Sequence, residues 1–169
     1  VTIQDVVNSE DINIYRDLAG GVTISQLLHG SANPIGGRSA IVKWKWGLSP
    51  EELLYKDQPK FIKFALGENV KQSNWGIETN RYPQTRMGVE QVYMDEFQRA
   101  KEYEKAWSAY NALGNKVGVV PPRKDIELDV IVDILNKKRF ITCHSYVQSE
   151  ITSFRVFYPD RCSTFARYS

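Results

Sequence analysis

The chain has 169 residues, 42% hydrophobic and 25% charged, which suits one globular folding unit with its own core. Its 12% aromatic content excludes disorder along the whole length, and no apolar run approaches the ~20 residues of a membrane helix. The 22 basic and 20 acidic residues leave a charge of +2, too weak a field to argue for nucleic acid.

In chain order, Val1 opens the sequence with no initiator methionine and no signal-peptide apolar stretch. A processed form or an internal piece of something longer is therefore expected. Ser9 reads as a helix N-cap, with Glu10 and Asp11 in the first turn. Ile12, Tyr15, Leu18 and Ala19 then share a face before Gly20–Gly21 ends the helix. A β-branched start predicts a strand over about 22–28, followed by a small-residue loop at 29–37. Beyond it, Ala40, Val42, Trp44 and Trp46 alternate with Ile41, Lys43 and Lys45, a half-exposed second strand. Ser49, Pro50, Glu51 and Glu52 start a short helix through Tyr55.

The third strand is KFIKFALG at 60–67, and the polar stretch 67–85 reads as a long loop. From Arg86 to Leu113, Val89, Tyr93, Phe97, Ala100, Tyr103, Trp107 and Tyr110 recur at helical spacings of three and four, which predicts a long amphipathic helix. Ile126, Val130, Ile134 and Leu135 mark another helix, and RFITCHSY at 139–146 a fourth strand. Strands separated by helices or long excursions point to an α/β fold with about four parallel strands. The stretch 1–150 reads as one domain segment, and the tail 151–169 has no clear period.

Few residues promise chemistry. Lys63 sits in a strand that is apolar on both faces, as in buried parallel sheets. Either it snorkels to water from an edge strand, or its amine is buried and must be paired, neutralised or modified. His144 ends its strand, where functional groups of parallel α/β folds gather. It reads as a metal ligand or general base, or as a histidine simply hydrogen-bonded at a strand end. Cys143 should face the other way and pack. His29 and the glycines Gly30, Gly36 and Gly37 follow a strand, but no lysine–serine pair completes a phosphate loop. Cys143 and Cys162 are too few for a disulfide framework, and no Cys-x-x-Cys or Cys/His cluster marks zinc.

Three stretches carry a family resemblance: EDINIYRDLAGGVTISQLLHGSANPIGG, FIKFALGENVKQSNWG with RYPQTRMGVEQVY, and RFITCHSYVQSE. Together they resemble the central segment of metal-dependent amidohydrolases, in particular bacterial imidazolonepropionase-like and prolidase-like members. The resemblance implies part of a (β/α)8 barrel of the TIM type, and hydrolysis of amide or cyclic-amide C–N bonds by metal-activated water. It implies one or two divalent metals, with zinc expected, and makes Lys63 and His144 metal ligands, Lys63 as a carboxylated lysine. No catalytic residue is implied beyond these two. The family also uses a His-x-His pair, a further histidine and an aspartate. This sequence holds only two histidines, His29 and His144, so the chain alone is expected to be inactive.

A small amide or peptide-like substrate is the expected partner, with self-association or the remainder of the same protein as further partners, and with no nucleic acid or membrane. The competing function is a non-catalytic module that associates through helix 86–113. The compartment is open, cytoplasmic or periplasmic and secreted alike.

Overall fold

The computed structural model describes residues 1–71, 81–157 and 162–166. The central part of the predicted polar loop, with Trp75, lies outside them. The chain folds into a mixed α/β unit. A short 3-10 turn at Ile3–Val6 precedes α1 (Ile12–Ala19), β1 (Ile24–Leu27), β2 (Ile35–Lys43), α2 (Pro50–Leu53) and β3 (Lys60–Ala65). Then come α3 (Arg86–Ala112), α4 (Ile126–Leu135), β4 (Arg139–His144), α5 (Gln148–Phe157) and β5 (Cys162–Ala166). Among the described residues no helix is long and apolar enough to cross a membrane.

Among the described residues, five strands form one sheet in sequence order, β1-β2-β3-β4-β5. The all-parallel expectation of four strands is corrected here. β1–β2 and β2–β3 are antiparallel, whereas β3–β4 and β4–β5 are parallel. The reason lies in the connections. Residues 28–34 are too few for a crossover, which takes a dozen or more residues, so β1 and β2 pair as a hairpin. The link from β2 to β3 carries only the four-residue α2, too short a helix to cover a sheet face. α3 with α4, and then α5, are the crossovers that return the chain parallel. The tail 151–169, predicted without structure, carries the rest of α5 and then β5. Pairing with β4 defines β5, and no local period announces it.

Local chemistry sets most helix ends. The predicted N-cap Ser9 gives way to Asp11, whose carboxylate accepts from the Asn13 amide at 2.9 Å. α2 starts as the sequence indicates, with the Ser49 amide donating to Glu52 at 3.0 Å and Pro50 at the first position. Thr85 caps α3 by accepting from the Gly88 amide, and Asp125 caps α4 by accepting from the Glu127 and Leu128 amides. The second strand begins earlier than predicted. Ile35, Gly36 and Gly37, expected in a loop, enter β2 with an irregular register between Ile35 and Gly37.

Two apolar clusters result. The smaller joins Ile14, Val42 and Leu53 beneath α1 and α2. The larger buries Ile62, Phe64, Leu66, Ile141 and Cys143 of the sheet against α3, α4 and α5. Phe64 is its centre. It stacks on Tyr93 with centroids 5.1 Å apart and meets Phe97 and Phe154 edge-on at 6.3 and 6.0 Å. Replacing Phe64 by Ala should therefore cost about 3–5 kcal/mol in urea-induced unfolding. Trp46→Ala, at a position 47% exposed, should cost under about 1 kcal/mol in the same measurement.

Candidate metal-ligand face

Strand alternation gives the sheet two unlike faces. In β3 and β4, Ile62, Phe64, Ile141 and Cys143 turn toward the helices. The register pairs Lys63 with Thr142 and Ala65 with His144, so these four project from the opposite face. Cys143 packs among apolar groups as its position in the strand predicts. Lys63 and His144 therefore arise from adjacent parallel strands and share one face. They are diagonal neighbours, one strand spacing across and two residues along, on the order of 8 Å between α-carbons.

Both side chains are largely withdrawn from water, at 6% exposure for Lys63 and 8% for His144. The edge-strand, snorkelling reading of Lys63 is thereby set aside, because β3 lies between β2 and β4. Among the described residues, no carboxylate forms an ion pair with it. Burial pushes its ammonium below the ordinary lysine range. Burial also lowers the His144 imidazole, and the nearby Lys63 charge lowers it further.

Polar groups that sequence reading did not single out complete the face. Gln26 of β1 donates from Nε2 to the Thr142 hydroxyl at 3.4 Å. The Ser31 hydroxyl hydrogen-bonds His144 Nδ1, and the Tyr146 ring meets the imidazole edge-on at 4.7 Å. Tyr146 in turn takes a 3.0 Å hydrogen bond from the Asn69 amide. Thr142 was within reach of sequence reasoning, since it lies two residues before His144 in a strand. Ser31 was not, because 113 residues separate it from its partner.

His29 is placed differently. Its Nε2 is buried without a hydrogen-bond partner among the described residues, and the ring lies against Gly37. A β-carbon on Gly37 would stand 2.7 Å from that nitrogen, and the backbone there has φ +144°. Gly36 and Gly37 thus admit the histidine ring into β2 and make no anion cradle. Among the described residues, no three His, Cys, Asp or Glu side chains gather as a metal-binding group.

No family model matches the chain. Over 148 residues it is 30% identical to the amidohydrolase tasK of Hapsidospora irregularis, a match covering 79% of this chain and 15% of that protein. Its fold superposes on the crystal structure of an amidohydrolase from Thermotoga maritima MSB8 with a TM-score of 0.79 and 34% identity. That match covers 92% of this chain and 39% of the other. Over most of its length the chain is similar to amidohydrolases. It spans less than half the length of either relative.

Burying Lys63 with no carboxylate ion pair among the described residues costs stability. Lys63→Met should raise the unfolding free energy read from urea titration by on the order of 1–3 kcal/mol, the range for relieving a buried polar group. For His144 the sign follows from its lowered pKa. Above about pH 6.5 the imidazole is neutral in the folded and unfolded chain alike. Below that, the unfolded chain takes a proton that the buried ring refuses, so stability falls as the pH drops. His144→Gln should remove that part of the acid slope between about pH 6.5 and 5, read from urea midpoints.

Proposed function

We propose that the chain is the ligand-bearing central segment of a metal-dependent amidohydrolase that cleaves amide or cyclic-amide C–N bonds. The observation that carries this reading is the shared face of Lys63 and His144, in a chain related to amidohydrolases over most of its length. The donor chemistry fits half of a divalent-metal site. Imidazole is a common zinc ligand. A lysine becomes one only after its neutral amine adds to CO2, forming an N–C bond, losing a proton and turning a buried cation into an anionic oxygen donor. The withdrawn setting of Lys63 favours the neutral amine that this addition needs.

Lys63 and His144 would hold the metal, with one or two ions and zinc the proposed identity. A divalent ion in such a place supplies a nucleophilic water near neutral pH and polarises a carbonyl oxygen. The chain's own residues would orient the ligands, with Thr142 and Gln26 lining the same face. A partial (β/α)8 barrel is the proposed architecture, with β3, β4 and β5 as three successive parallel strands and the metal at their carboxyl ends.

Two protein ligands fall short of the three that a catalytic zinc site keeps. The 169-residue chain by itself should therefore bind zinc weakly and turn over no amide. In competition with a chromogenic chelator, Lys63→Ala and His144→Ala should each weaken zinc binding at least tenfold. Added bicarbonate should give the wild type, and not Lys63→Ala, a carbamate signal in the carbon NMR spectrum. Zinc affinity indifferent to both substitutions would defeat the metal reading.

A second reading rests on the distal part of α3. Beyond Ala100 its stripe continues as Tyr103, Trp107 and Tyr110, half-buried, and the Trp107 indole N–H is enclosed without a partner among the described residues. Association through this helix is the alternative function. Light scattering on the wild type and on a Trp107→Glu, Tyr110→Glu variant separates the two, since a metal role of the sheet face leaves the oligomeric state unmoved.

A further inference from the structure

A cavity of about 210 Å³ opens beside the carboxyl end of β3, between the first turns of α3 and α5. Leu66, Val89, Tyr93 and Phe154 form its apolar floor, and all four belong to the larger core cluster. Leu66 follows Phe64 by two residues and shares its side of the sheet. The cavity therefore lies on the helix side, across the sheet from Lys63 and His144. Met87 and Met94, 78% and 46% exposed, stand at its mouth. An apolar cavity of about 150 Å³ takes benzene, so this one has room for a phenyl-sized group and a few further atoms.

The polar groups share one wall. Arg86 pairs through Nε with Glu150 Oε1, and its side chain, 45% exposed, keeps its terminal nitrogens for the mouth. Glu150 Oε2 is enclosed with no hydrogen-bond partner among the described residues. An acceptor left unmade in this way is costly, and a donor from a ligand would relieve it. Donor and acceptor are thus offered side by side. The charge of the wall decides what they accept. The carboxylates Glu90 and Glu150 face Arg86 and the positive ends of two helices, each worth about half a charge. The two signs nearly cancel, so neither an ammonium nor a carboxylate gains by entering.

We propose that this cavity is a second ligand site, for an uncharged amide that carries a small apolar group. The apolar group fills the floor, the amide N–H donates to Glu150 Oε2, and the amide carbonyl accepts from the Arg86 guanidinium. The inference stands apart from the metal reading, because no residue of the Lys63 and His144 face takes part.

The chain contains two methionines, and both line this mouth. Carbon-13 labelling of their methyl groups in the 169-residue chain gives two reporter signals, which Met87→Leu assigns. N-benzylacetamide should shift both signals to saturation at pH 7. It should bind roughly tenfold more tightly than benzylammonium or phenylacetate, the worth of one hydrogen bond to a charged group. Glu150→Gln, with wild-type circular dichroism, should weaken it by a similar factor. Met94→Trp fills the mouth and should abolish the response of Met87, whereas Lys63→Ala should bind as the wild type does.

Equal affinity for the three compounds would overturn the proposal and leave an apolar void without a recognition wall. A preference for benzylammonium would do the same and mark Glu90 and Glu150 as an amine site. No shift at millimolar N-benzylacetamide would also sink it, as would a Met87 response that survives Met94→Trp. Binding lost in a folded Lys63→Ala chain would move the ligand to the other face of the sheet, against the proposal.

Discussion

The parallel pairing of β3 with β4 is the constraint on which the rest depends. Six consecutive register pairs run from Lys60 with Arg139 to Ala65 with His144, and the Leu66 amide extends the ladder by donating to the His144 carbonyl at 2.8 Å. Because side chains alternate across a strand, this one register sends Ile62, Phe64, Ile141 and Cys143 to the helices, and Lys63, Thr142 and His144 the other way. A slip by one residue would bury the polar set in the core and expose Phe64. The core and the candidate site are two consequences of the same hydrogen bonds.

The apolar side does more than stabilise. Tyr93 stacks on Phe64 within the core and reaches past it with its hydroxyl to the Pro34 and Ala65 carbonyls. Pro34 belongs to the same short connection as Ser31. Packing of α3 is therefore transmitted, through one phenol, to the segment that meets His144 on the far face.

Charge is distributed unevenly over the sheet. Arg139 is also buried, yet its guanidinium donates to the Phe61 carbonyl at 3.2 Å and faces Asp133 at 3.4 Å. Lys63 has no comparable carboxylate among the described residues. Of these two buried cations on adjacent strands, Arg139 has a carboxylate partner and Lys63 has none among the described residues, which sets a structural role apart from one that departs from the rules of a stable core. The antiparallel strands β1 and β2 contribute to the same face, since Gln26 reaches Thr142 across the sheet.

Much of this was legible in the residues themselves. Alternation in KFIKFALG and RFITCH defines both faces of β3 and β4, and the spacing of Val89, Tyr93, Phe97 and Ala100 defines the buried stripe of α3. Those features are local, written at periods of 2 and 3.6 residues, and Ser49-Pro50 and the amidohydrolase-like stretches are equally local. The antiparallel half of the sheet, the strand at Cys162–Ala166 and the contact of Ser31 with His144 were decided only in three dimensions. Each depends on pairing between segments distant in sequence, and the Ser31 and His144 side chains, 113 residues apart, have no shared period through which a chain could announce their meeting.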